Sequence, residues 1–215
     1  MPRESFQPHI SIRKESASMD RLVARSTVSP QFVSESAFPI RAGSLQISAL
    51  PLAGIVRVQG RSADEAFRSS VAAALGLRLP EGEAISMGAE ARLAWAGPNE
   101  YLCYCALADE DKCVSALTAA LAGQFATVTL VSDSRVGFLV TGSNATAFLS
   151  KGCSIDMHPV AFPAGRAVTT RFAGLPAVLM RGEADDYAIY FDVAYVEFVL
   201  KWLLDAAEEF MAPAQ

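Results

Sequence analysis

The chain has 215 residues, 52% hydrophobic and 19% charged, with a net charge of −5; it is long enough for one large domain or two small ones with a sizeable core. So apolar a composition requires either a deep core or apolar surface that partners cover. Residues 1–44 carry six Lys/Arg against four Asp/Glu and residues 45–215 carry twelve against nineteen, and that acidic body argues against nucleic acid or an anionic membrane as the main partner.

Residues 1–44 are rich in Ser and Pro, with short apolar islands at Phe32-Val33 and Phe38. They read as an extended N-terminal arm with little core of its own. The apolar core of a secretory signal is absent, and Glu4, Glu15 and Asp20 speak against a transit peptide. No window reaches the roughly 18 uninterrupted apolar residues of a membrane span. Four cysteines without framework spacing imply a reducing compartment, so a cytoplasmic location is expected.

Beyond the arm, "IVRVQG" (55–60) alternates as a strand and stops at Gly60. Ser62 with Glu65 three residues later then predicts a capped helix. A Pro-Gly turn in "LPEGEA" (79–84) leads to three short strands, "EAISMG", "ARLAWAG" and "EYLCYCAL". A helix over Asp111–Ala122 closes this half.

The same order then recurs. A strand over Val136–Thr141 stops at Gly142, and a helix starts from Ser143 or Asn144. "FPAGRA" (162–167) precedes the strands "AVTTRFA", "PAVLMRG" and "DYAIYFD", and a helix over Ala194–Phe210 ends the chain. "IVRVQGRSADEAF" aligns with "GFLVTGSNATAF", and "LPEGEA" with "FPAGRA". "GPNEYLCYC" aligns with "GEADDYAIYF", pairing Tyr101 with Tyr187 and Tyr104 with Tyr190. Offsets of 81 to 86 residues mark a duplication into two half-domains and not a solenoid. The organisation is therefore an arm (1–44), a first half (45–126) and a second half (127–215), the halves forming one compact unit. Helices folded onto one face of a mostly antiparallel sheet make each half α+β, related to the split βαβ, ferredoxin-like arrangement.

Several stretches invite chemical readings. In "GCSIDMHPVAFPAGRA" (152–167), Cys153 and His158 suggest a metal or a nucleophile. Yet a zinc site takes about four ligands, and no second Cys/His cluster is nearby. The matching element of the first half, "SSVAAALGLRL", has neither Cys nor His. The stretch reads as a structural turn, with Cys153 as a small hydrophobe and His158, held extended by Pro159, placed to cap a helix C-terminus. Cys103 and Cys105 share one strand face and could join Cys113 on a soft metal, but the matching strand carries Ala188 and Tyr190 there, so core filling is expected. "SDSR" (132–135) reads as a turn before a strand, because no G-x-S-x-G elbow occurs. Asn144-Ala145-Thr146 matches a glycosylation sequon and reads as a helix cap. No dinucleotide fingerprint or P-loop is present. Catalytic, cofactor-binding and metal-binding residues are all expected to be absent from this chain.

In the last helix Glu197, Lys201, Asp205 and Glu208 form one narrow polar stripe, with Tyr195, Phe198, Val199, Trp202 and Leu203 among the apolar remainder. An amphipathic helix needs an apolar arc of roughly 100°, and this arc is about twice that. Either the helix is deeply buried in its own domain, or one face meets its own sheet and another meets a second chain.

"KGCSIDMHP", "FPAG" and the "Y…WLLDA" ending resemble the gamma subunit of heterotetrameric sarcosine oxidase, over most of residues 45–210. That family is similar to the folate-binding aminomethyltransferase domain of the glycine cleavage system, where a Gly-Gly-aliphatic-aliphatic-Asp run supplies an acidic residue at the tetrahydrofolate site. The corresponding stretch here, "RFAGLPAVLMRG", has Leu175, Pro176 and Ala177 and no carboxylate. Apolar side chains cannot replace a carboxylate that orients an amine. The resemblance therefore implies a structural subunit with a folate-enzyme fold. It implies an assembled enzyme that oxidises sarcosine to glycine and passes the one-carbon unit to tetrahydrofolate, with alpha, beta and delta partner subunits. FAD, FMN, NAD, tetrahydrofolate and zinc would sit on those partners. The equivalent subunit of N-methylglutamate dehydrogenase and a stand-alone folate-binding module are the alternatives.

Overall fold

The computed structural model describes residues 25–28, 38–183 and 186–211. The chain enters through a hairpin, β1 (Ile40–Ala42) and β2 (Leu45–Ala49). It continues as β3 (Ala53–Gly60), α1 (Glu65–Leu75), β4 (Ile85–Met87), β5 (Ala91–Gly97), β6 (Glu100–Ala106) and α2 (Glu110–Ala120). The second passage is β7 (Ala126–Leu130), β8 (Arg135–Thr141), α3 (Ala145–Ser150), β9 (Ala167–Phe172), β10 (Leu175–Arg181), β11 (Tyr187–Asp192) and α4 (Val196–Met211).

Two sheets result, with strand orders β4-β5-β6-β3-β7 and β1-β2-β8-β11-β10-β9. Every pairing among them is antiparallel. The period-2 alternation of the strands sorts side chains into layers. On β6, Tyr101 and Cys103 join Phe67 and Val71 of α1 and Cys113 and Leu117 of α2 in one core. Leu102 and Tyr104, pointing the other way, meet Val178, Met180 and Tyr190 of the second sheet. On β11, Tyr187, Ile189 and Phe191 pack under Phe148 of α3 and Leu203 of α4. The sheets thus lie face to face with helices on both outer sides, an α+β sandwich of two similar halves.

The leading strands exchange between halves. Leu45–Ala49, which precedes β3, pairs with β8 of the second sheet. Ala126–Leu130, 81 residues on, precedes β8 and pairs with β3 of the first. Each half therefore completes the other's sheet. The chain before residue 45 also differs from a free arm: Ile40 is buried beside Leu45 and Ile47, and Phe38 meets Phe138 edge-on at 6.0 Å. Apolar side chains at Phe38 and Ile40 give this end of the segment a core to join. Phe32-Val33 lies outside the described residues.

Helix starts differ from the predicted caps. Asp64, not Ser62, caps α1, its Oδ1 accepting from Ala66 N at 2.9 Å. Ser62 instead donates from its backbone and hydroxyl to Asn99 Oδ1, at 2.8 and 3.0 Å. Asn144 sits before α3 without a side-chain cap and donates to Ser44 Oγ at 2.8 Å. The two repeat glycines are needed for different close approaches. A Cβ on Gly60 would lie 2.3 Å from the Phe67 ring, and one on Gly142 (φ 108°) would lie 2.5 Å from the Ser44 carbonyl oxygen.

Candidate functional site

Cys153 and His158 are given separate surroundings. Cys153 forms an isolated bridge with Phe172 and packs half-buried against the second-half core, where burial raises its thiol pKa. His158 is exposed. Asp156 Oδ1 accepts from its backbone N–H at 2.8 Å, and its own Nδ1 accepts from Val160 N at 3.3 Å. These are turn contacts. His158 does not cap a helix, since α3 ends at Ser150.

The hydroxyls of "SDSR" hold the fold. Ser132 and Ser134 lie in a 3₁₀ turn. Ser132 Oγ accepts from Ile55 N at 2.9 Å and donates to Glu110 Oε2 at 2.7 Å, tying the second half to β3 and α2. Ser134 Oγ donates to the Val131 carbonyl at 2.8 Å. Among the described residues, no group of three or more His, Cys, Asp or Glu side chains is arranged to hold a metal ion.

The stretch from Phe172 to Ala177 is a tight hairpin. β9 and β10 are joined by Ala173 and Gly174 with φ of 50° and 80°, the left-handed pair that a type I′ turn requires. Leu175 then pairs with Phe172, exposed Pro176 with Arg171, and buried Ala177 with Thr170. No carboxylate stands at Leu175, Pro176 or Ala177.

The last helix divides along its length. Val199, Leu200, Leu203, Ala206 and Ala207 are buried, and the stripe Glu197, Lys201, Asp205 and Glu208 is exposed, with Lys201 Nζ 2.7 Å from Glu197 Oε1. Trp202 belongs to the chain's own core: its ring meets Phe172 at 4.7 Å and Phe148 at 5.9 Å, both edge-on. Gly152 makes room for it, because a Cβ there would lie 2.7 Å from the indole. Most of the wide apolar arc is therefore explained by burial. Its exposed large apolar side chains are Tyr195 at 41% and Phe198 at 50% exposure near its start and Met211 at 46% at its end.

What the residue-by-residue reading missed is the junction of the halves. Arg92 donates to the Tyr190 hydroxyl at 2.9 Å and lies over the Tyr104 ring at 4.9 Å. Arg166 and Glu83, equivalent positions in the two "P-x-G" turns, form an ion pair. Beside it Ile85 N donates to Gly165 O at 3.0 Å, and Ala167 N to Glu83 O at 3.2 Å. The signal was the repeat itself: residues on a duplication axis meet their own equivalents.

Comparison with known proteins follows from this geometry. The family model for the sarcosine oxidase, gamma subunit family matches residues 59–209. Sarcosine oxidase subunit gamma of an Arthrobacter species is 34% identical over 151 residues, covering 69% of this chain and 73% of the relative. The subunit of the same name from Corynebacterium sp. strain P-1 is 32% identical over 172 residues, covering 79% and 83%. Among solved structures, a chain of heterotetrameric sarcosine oxidase from Corynebacterium sp. U-96, in complex with pyrrole 2-carboxylate, matches at a TM-score of 0.76. Its identity is 24%, with 84% of this chain and 92% of that one covered. Glycine cleavage system aminomethyltransferase T from Bartonella henselae matches at a TM-score of 0.58 and 15% identity, covering 79% of this chain and 47% of that one. Both likenesses are of fold.

Proposed function

The chain belongs to the sarcosine oxidase gamma subunit family, and we propose that it is the non-catalytic gamma subunit of a flavin-dependent complex that oxidises sarcosine to glycine. The one-carbon unit passes to tetrahydrofolate. The partners are alpha, beta and delta subunits in a cytoplasmic assembly, and those subunits carry FAD, FMN, NAD, tetrahydrofolate and zinc. The chain contributes no catalytic, cofactor-binding or metal-binding residue of its own. It acts as one unit built from the halves 45–126 and 127–215, with the leading strands exchanged.

The observation that carries this reading is the pairing of an aminomethyltransferase-like fold with a β9–β10 hairpin that has no carboxylate at Leu175, Pro176 or Ala177. A fold kept without its amine-orienting residue serves by its surfaces. No helix among the described residues is long and apolar enough to cross a membrane.

The test is co-expression with candidate alpha, beta and delta chains, purification on a tag carried by this chain, and assay with sarcosine and N-methylglutamate in parallel. Recovery of a four-subunit complex that turns over sarcosine supports the proposal. Turnover of N-methylglutamate instead assigns the paralogous dehydrogenase. Saturable binding of a reduced folate by the isolated chain overturns the non-catalytic reading.

A further inference from the structure

Three of the four cysteines converge in the first-half core although two elements supply them. Cys103 and Cys105 lie on β6 and Cys113 on α2. The Sγ atoms of Cys103 and Cys113 are 3.6 Å apart, and both residues are buried. Cys105 is the outer member: its thiol donates to the Gly54 carbonyl at 3.6 Å. It also lines an open cavity of about 270 Å³ together with Met87, Arg92 and Tyr104. Cys105, near the end of β6, is the member of the cluster that lines this cavity, whereas Cys103 is fully buried and Cys113 is 8% exposed.

We propose that Cys103 and Cys113 are a dithiol pair that a peroxide converts into a reversible disulfide. The Cys113 thiolate attacks the peroxide; an S–O bond forms, the O–O bond breaks, and one water leaves. The Cys103 sulfur then attacks the Cys113 sulfur; the S–S bond forms, the S–O bond breaks, and the Cys103 proton leaves with the second water. Two thiols lose two electrons and two protons, and hydrogen peroxide is reduced to two waters. The sulfurs must close from 3.6 Å to about 2 Å, a movement of side chains in contact already.

The environment assigns the roles. Cys113 is the less enclosed of the two thiols, 8% against 0% exposed, and its hydrogen bond with Cys103 lowers its pKa, so it is the one that meets the peroxide. The same hydrogen bond, with burial, raises Cys103, the resolving thiol. Burial, the neighbouring Cys113 and the carboxylates of Asp109 and Glu110 push Cys105 up to about 12 and keep it protonated.

The test exposes the full-length chain to graded hydrogen peroxide, blocks residual thiols and maps tryptic peptides. Cleavage after Arg92, Lys112 and Arg135 places Cys103 and Cys113 on different peptides, so a cross-linked pair reports the bond, and fragment ions separate Cys103 from Cys105. Sulfoxide at Met87, 69% exposed, verifies that oxidant was delivered. The expected result is a Cys103–Cys113 cross-link that a dithiol reductant removes and that persists in Cys105→Ser. A cross-link through Cys105, over-oxidised but unlinked thiols, or unchanged thiols beside oxidised Met87 would each overturn the proposal.

Discussion

Tyr104 and Tyr190 hold equivalent places in the two repeats, and their rings meet at 4.9 Å between centroids where the sheets face each other. Burial raises the pKa of both phenols, so they stay neutral donors and acceptors. Arg92 joins them by stacking on one ring and donating to the other hydroxyl. Replacing both tyrosines by Leu should give a coupling energy of about 1 kcal/mol, the usual scale for a buried aromatic pair. Tyr190→Phe, which leaves the Arg92 guanidinium short of an acceptor, should cost about 1–2 kcal/mol. Urea unfolding of the single and double variants measures both, and strict additivity would show that the rings do not couple the halves.

Trp202 and Phe198 look alike in the sequence and should behave oppositely. Trp202→Ala removes a ring wedged between Phe172 and Phe148 and should cost about 3–5 kcal/mol of stability. Phe198→Ala, at a half-exposed position, should leave the thermal midpoint of the isolated chain nearly unchanged. If the start of α4 meets another subunit, Phe198→Ala should also weaken recovery of the complex at least several-fold, as an interface anchor does. Normal assembly by this variant would remove the start of α4 from the interface.

Gly43 precedes β2 and Gly142 follows β8, at the same end of the β2–β8 pairing, and they differ in freedom. Gly142 holds φ 108° with the Ser44 carbonyl oxygen 2.5 Å from where a Cβ would sit, whereas a Cβ on Gly43 meets nothing within 4 Å. Gly142→Ala should therefore destabilise by about 2 kcal/mol or more, and Gly43→Ala by a few tenths at most. Thermal denaturation of the two variants compares them directly, and equal effects would contradict the strain argument.

Cys153→Ala and His158→Ala, alone or combined, should leave turnover of the assembled enzyme within a few-fold of wild type. One residue packs on Phe172 and the other forms an exposed turn. Loss of an acid, base or nucleophile costs about 10²-fold or more, so a drop of that size in steady-state sarcosine oxidation would make the pair functional.

The sequence by itself determined the elements and the duplication. "ARLAWAG" and "EYLCYCAL" became β5 and β6, and "PAVLMRG" and "DYAIYFD" became β10 and β11, to within a residue or two. Alternation, Gly stops and Pro-Gly turns are local signals, and they act through the φ/ψ and pleat of a few neighbouring residues. The strand "ATVTL" also alternates, but its Thr-rich face passed unread.

Tertiary structure alone decided which partners those elements take. "LQISA" alternates identically whichever sheet receives it, and only the register against Val140 and Phe138 places it in the second half's sheet. Asp64 displaced Ser62 as the cap because Asn99, 37 residues away, holds Ser62. Trp202 and Phe198 share an aromatic spacing, and the gap left by Gly152 decided that one ring goes in and the other stays out. Cys103 and Cys113 meet because α2 folds back over β6, a contact set by packing between elements and not by the spacing that residues carry along the chain.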